Sequence, residues 1–219
     1  MHLENYIVND LETLLPSDLI SVAKNKAKNQ RVSHFPVVEN KRLYGCISES
    51  DLSTFEEKSK KVSDYQYLFE LFYATEEDTL VDLLTLFAVH ETNSIPVLNE
   101  EKEYLGCFDL NDILTIYAET PFLKEEGILL VLEKDNNSYS ISEIAQISET
   151  NNTQLFGIYV SKKTETTTQI TIKIKTENIN EIIQTYRRYE YNVISNHEDD
   201  SYLEDLKNRS NYLQKYLSI

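Results

Sequence analysis

The chain states one pattern twice. SHFPVVENKRLYGCISESDL at 33–52 returns as NSIPVLNEEKEYLGCFDLNDI at 93–113. Pro36 and Pro96 lie 60 residues apart. One extra residue in the second copy then sets the spacing at 61 for Gly45 and Gly106, Cys46 and Cys107, Asp51 and Asp112. A repeat of this period means one packing unit used twice, each copy giving the other a surface to bury. The cleft between two such copies is the natural place for function.

Each copy follows the same route. Asp18 is expected to cap a helix through about Asn29, with Leu19, Val22, Ala23 and Ala27 on its apolar side. Phe35–Val38 reads as a short strand, residues 39–42 as a turn, Leu43–Ile47 as the returning strand, and a further helix opens near Ser48–Asp51. In the second copy Asp78 is expected to cap the helix holding Leu80, Leu83, Leu84 and Phe87. Ile95–Leu98 and Tyr104–Phe108 are its strands, and Asp109–Asp112 opens the next helix, which must end before Pro121. EEKSKKVSDYQ at 56–66 reads as a polar surface connection.

A different grammar follows. GILLVLEK (127–134), QLFGIYVSKK (154–163), TTQITIKIKT (167–176) and YNVIS (191–195) read as strands, with helices at 141–151 and 177–190. Ile170, Ile172 and Ile174 alternate with Thr171 and Lys173, giving that strand one buried and one wet face. The order strand, helix, strand, strand, helix, strand is the split βαβ plait. In the tail, Leu203, Leu206, Tyr212, Leu213, Tyr216 and Leu217 fall on roughly one helical side, an apolar stripe that calls for cover.

Charge and composition narrow the partners. The formal net charge is −16, which repels a bare duplex or an anionic membrane, so nucleic acid and membrane are not expected partners. Lys24, Lys26, Lys28 and Arg31 form the only dense basic run in the first half. No apolar stretch approaches 18 residues, and MHLENYIVNDLETLL lacks the basic start and apolar core of a secretion signal. Cys46 and Cys107 occupy equivalent positions and read as small buried side chains rather than a bridged pair. The chain reads as cytoplasmic.

The repeated pattern (apolar-Pro-Val, a turn, apolar-Gly, two strand residues and a downstream Asp) resembles a tandem cystathionine-beta-synthase (CBS) domain pair, the Bateman module. Residues 125–196 resemble an ACT-type ferredoxin-like domain. The whole arrangement is similar to bacterial proteins labelled acetoin-utilisation accessory proteins. The expected architecture is therefore α/β and α+β: a tandem CBS pair over 1–120 (repeats at about 1–55 and 65–120), a βαββαβ domain over 125–196, and a short C-terminal amphipathic helix over 200–219.

That resemblance implies a regulatory module for adenosine-containing ligands: AMP, ADP, ATP or S-adenosylmethionine. In the family a hydroxyl residue and an Asp three positions later contact the nucleotide, the Asp accepting both ribose hydroxyls. The first repeat matches with Ser48 and Asp51. The second keeps Asp112 but has Asp109 in place of the hydroxyl, where a carboxylate would repel phosphate. His34 and Ser94, just before each Pro-Val strand, fall in the family's adenine region. Arg31, Lys41, Arg42 and Lys102 are the only basic residues near these motifs. The same residues also fit a purely structural role, with Ser48 and Asp109 as helix N-caps and acids favoured in the first turn.

Catalysis is not expected. His2, His34, His90 and His197 form no His-x-x-x-His pair, there is no Cys-x-x-Cys, and four glycines are too few for a glycine-built phosphate cradle. No catalytic and no metal-ligating residue is assigned. The first reading is a sensor that signals ligand occupancy by domain or dimer rearrangement to a regulated protein the sequence does not identify. The alternative is an assembly adaptor with a ligand-free CBS pair. Both imply a homodimer.

Overall fold

The computed structural model describes residues 3–195 together with Tyr212. The helix expected over 200–219 lies, apart from Tyr212, outside the described residues. The chain divides into two compact units between Glu119 and Thr120, and no described helix is long and apolar enough to cross a membrane.

The first unit is built from two hairpins. Strand β1 (His34–Glu39) pairs antiparallel with β2 (Arg42–Ser48), and β4 (Ser94–Leu98) with β5 (Tyr104–Asp109); β3 (Ala74–Thr75) lies parallel to β4. Asn40 and Lys41 both take positive φ, the geometry of a tight two-residue hairpin. The extra residue of the second copy is absorbed in a wider turn, where Glu103 N donates to Asn99 Oδ1 at 2.8 Å. Helices α1 (Ile20–Asn29), α2 (Glu49–Thr54), α3 (Leu80–Val89) and α4 (Leu110–Ala118) pack on these hairpins.

The repeated Pro sits where a strand needs an acceptor and no donor. Pro36 faces Cys46, and its carbonyl accepts from Leu14 N at 2.9 Å. The backbone of Cys46 turns to another segment, donating to Glu70 O at 2.7 Å and accepting from Glu70 N at 2.9 Å. Cys107 makes the equivalent pair with Val8, at 3.0 and 2.8 Å. Each repeat's leading segment thus first crosses to the other repeat: 7–9 lies on the second, 69–71 on the first. The repeated glycine permits this. A Cβ on Gly45 would stand 3.1 Å from Glu70 O, and one on Gly106 would overlap Asn9 Oδ1 and lie 2.6 Å from Val8 O.

The cores follow the crossing. Leu3 and Cys46 are buried with Phe87, Ile95, Phe108 and Ile113 of the second repeat, while Val62 joins Ile20, Phe35 and Ile47 in the first. The 56–66 segment is therefore more than a surface connection. Its Val62 is fully buried, residues 62–68 form a 3-10 turn, and Lys60 O accepts from Ile20 N at 2.9 Å. At the centre of the unit, Ser33 N donates to Asn93 Oδ1 and Asn93 N to Ser33 Oγ, at 2.8 and 3.0 Å.

Two capping expectations need correction. Leu19, not Asp18, holds the N-cap of α1, without a side-chain bond; Asp18 instead accepts from Leu15 N and from Lys26 Nζ, both at 2.9 Å. Asp78 likewise accepts from Thr75 N at 2.6 Å, and Thr79 caps α3 in a reciprocal box with Asp82. In both cases the Asp closes the turn before the helix, a competing use of a short carboxylate beside free backbone N–H groups.

In the second unit a four-residue helix α5 (Pro121–Lys124) opens on Pro121, and the plait follows: β6 (Ile128–Asp135), α6 (Ile141–Thr150), β7 (Gln154–Lys163), β8 (Thr167–Lys175), α7 (Ile179–Arg188) and β9 (Asn192–Val193). The sheet order β7-β8-β6-β9 is that of a ferredoxin-like βαββαβ fold. Leu130, Leu132, Ile170, Ile172 and Ile174 meet Ile144, Ile147, Ile182 and Ile183 in its core. There the buried Tyr186 hydroxyl bonds Ser148 Oγ at 2.7 Å. On the strands, Phe122 seats over Gly157, where a Cβ would overlap its ring.

Substituting Gly106→Ala must push the 7–9 segment off the second hairpin. We expect a loss of about 2 kcal/mol in urea unfolding, against less than about 0.5 kcal/mol for Ala on the exposed face of α3 (Val81→Ala).

Candidate functional site

Ser48 ends β2 and caps α2, and the sequence fixes its geometry. Ser48 Oγ accepts from Asp51 N at 3.0 Å and donates to Asp51 Oδ2 at 2.6 Å, with Ser50 Oγ 2.9 Å away. A cap of this kind is worth about 1 kcal/mol. It also locks the Asp51 carboxylate at the mouth of the helix.

This loop borders a cavity of about 520 Å³. His34, at the start of β1, lies on its wall, with Ser48 and Asp51 on one rim. Val89, His90 and Glu91, where α3 ends, and Glu70 of the crossing segment contribute from elsewhere in the unit. The cavity thus joins the two repeats.

The two histidines on its wall are backed by a buried ring, Phe72. His90 lies face to face with Phe72, ring centroids 4.3 Å apart and planes 17° from parallel. His34 meets Phe72 edge-on at 5.6 Å. His34 is about nine-tenths buried. Its Nδ1 is taken by Ser33 Oγ at 3.0 Å, while Nε2 has no hydrogen-bond partner among the described residues. Glu70 Oε2 stands 4.0 Å from His90 Nδ1. Burial lowers the His34 pKa; Glu70 opposes this, His90 adds to it, and Asp51 opposes it.

Of the five residues expected at a ligand site, three come together: His34, Ser48 and Asp51. Ser94 and Asp112 do not line this cavity. Ser94 is buried, and its hydroxyl lies by the Cys107 thiol without a hydrogen bond of ordinary geometry. Asp112 stands in the first turn of α4, which Asp109 caps by accepting from Asn111 N at 2.8 Å. None of the basic residues near the motifs lines the cavity: Lys41 pairs with Glu103 at 3.0 Å, and Arg42 lies over the Tyr44 ring. Both cysteines are free and buried, and burial pushes both thiols upward, so neither is a ready nucleophile. No group of three or more metal-ligating side chains is found among the described residues.

Sequence reasoning missed Glu70, His90 and Glu91. Glu70 had a signal: a glycine inside a strand implies close backbone approach by another segment, and Glu70 is that segment. His90 and Glu91 had none, because their role depends on where the far end of α3 lands.

Residues 3–57 and 62–119, just over half the chain, match the CBS domain family. An inosine-5′-monophosphate dehydrogenase from Methanocaldococcus jannaschii is 29% identical over 112 residues, covering 51% of this chain and 22% of that protein. The chain spans about a quarter of the length of the curated relatives it matches. Among solved structures, a CBS domain pair/ACT domain protein from Thermotoga maritima has 22% identity and a TM-score of 0.48, covering 54% of this chain and 98% of that one. CBSX2 in complex with AMP has 17% identity and a TM-score of 0.45, covering 54% and 96%.

The lowered His34 pKa has a consequence in pH. The unfolded chain takes up this proton more readily, so the neutral ring's contribution to stability is whole above the ordinary value of 6.5. It is lost as pH falls from there through the lowered folded value. Urea unfolding of His34→Asn should therefore show a shallower fall in stability between about pH 7 and pH 5 than the native chain.

Proposed function

This chain belongs to the CBS domain family, and we propose that it is a non-catalytic regulatory module whose first-repeat cavity takes an adenosine-containing ligand. One observation carries the reading: Asp51, fixed by Ser48, and the largely buried His34 share a cavity with His90, whose ring is held by stacking on Phe72. A rigid carboxylate suits a vicinal diol, each charged hydrogen bond being worth about 1.5–3 kcal/mol. A face of stacked rings suits a purine. Ser94 and Asp112 belong in this reading to a second-repeat site, suited to an adenosine without phosphate.

The signal is a change in how the two repeats sit on one another. Glu70 and His90 touch the ligand from outside the first hairpin, and a ligand shifts an equilibrium only through contacts that differ between its two states. The plait is the ACT-like part of this reading, used for pairing or docking in a cytoplasmic homodimer acting on another protein. Light scattering of the purified chain should return twice its 25.5 kDa.

The alternative, a ligand-free assembly adaptor, is favoured by the cap itself, since Ser48 and Asp51 satisfy one another without a ligand. Calorimetry separates the two. Adenosine should give saturable heat at micromolar concentration, weakened at least about tenfold in Asp51→Ala. Silence across adenosine, AMP, ADP, ATP and S-adenosylmethionine, from folded protein, would leave the adaptor.

A further inference from the structure

The cavity's charge is lopsided. Glu49, Asp51, Glu70 and Glu91 all line it, and no lysine or arginine does. Two lysines of the first repeat are committed elsewhere. Lys24 Nζ donates to the carbonyls of Ser53 and Phe55 at 2.9 and 2.6 Å, and Lys41 is held by Glu103. The N-terminus of α2, which would otherwise attract an anion, is filled: Ser48 takes the Asp51 N–H, and Glu49 and Asp51 put two carboxylates in its first turn. His34 lines the cavity and its Nε2 makes no hydrogen bond among the described residues, so that atom is able to serve an uncharged ring nitrogen or amine.

Resting on the adenosine reading above, we infer that this cavity selects a nucleoside ligand whose 5′ substituent is cationic, an ammonium or a sulfonium, and rejects a 5′-phosphate. An adenosine placed with its diol at Asp51 has its 5′ end among the carboxylates. There a phosphate meets like charge with nothing to neutralise it, and a cation meets its complement. The selectivity is electrostatic, so salt weakens it.

Three probes differing at one position test this: adenosine, 5′-amino-5′-deoxyadenosine and AMP, titrated by calorimetry into the full chain. The expected order is amine tightest and AMP weakest, spanning about 100-fold at low salt and contracting at about 0.5 M salt. Glu91→Gln should narrow the amine-to-AMP ratio about threefold, with circular dichroism confirming the fold. AMP binding as tightly as adenosine, or a ratio indifferent to salt, overturns the selectivity and leaves the adenosine site standing. No heat from any of the three, with the fold intact, removes the site and the selectivity together.

Discussion

Everything in the first unit depends on two short backbone crossings over glycine. Cys46 pairs with Glu70, and Cys107 with Val8. Each crossing fills the open side of a two-stranded hairpin, which is marginal in water when left alone. The crossings also decide which residues meet. Remove the first and Glu70 leaves the cavity and Phe72 loses its seat between His34 and His90, while the Val8–Cys107 crossing, the Ser33–Asn93 seam and the turn contacts around Lys41 remain. Hydrophobic burial supplies most of the driving force. The glycines determine that it is spent on an exchanged pair rather than on two separate copies.

The same crossing adds to the acidity of the cavity. The first repeat already presents Glu49 and Asp51 beside Ser48 and His34. Glu70 arrives with the segment that completes the sheet, and Glu91 with the left-handed turn that ends α3. Glu70 serves the fold through its backbone, which leaves its side chain to the cavity.

Much of this was legible in the sequence because it was written in local terms. Alternation of Ile170, Ile172 and Ile174 placed those residues in the core, although Thr171, expected on a wet face, is buried as well, and the order of elements from 128 to 193 needs no long-range information to read as a plait. The paired Pro and Gly announced the two hairpins, and Ser48 and Asp109 the caps that follow them. The caps at Asp18 and Asp78 were misread for a local reason too: a carboxylate next to a helix can bond backward to the preceding turn as readily as forward. What stayed illegible was the meeting of distant segments. The sequence names His90 as a histidine and Glu70 as an acid, but their shared cavity exists only after α3 and the crossing segment have been packed.

The two crossings are unequal in chain length, and this bears on how the unit assembles. Cys46 and Glu70 enclose a short loop, whereas Val8 and Cys107 enclose nearly the whole unit. A roughly fourfold longer loop costs about 1.2 kcal/mol more to close. The first hairpin is therefore completed by chain that follows it closely, while the second is completed by a segment that precedes it by most of the unit. During translation the residues around Val8 leave the ribosome long before their partner does, and they have nothing to pair with until Cys107 emerges. The cavity borders the short loop but is complete only once the end of α3, with His90 and Glu91, has joined it.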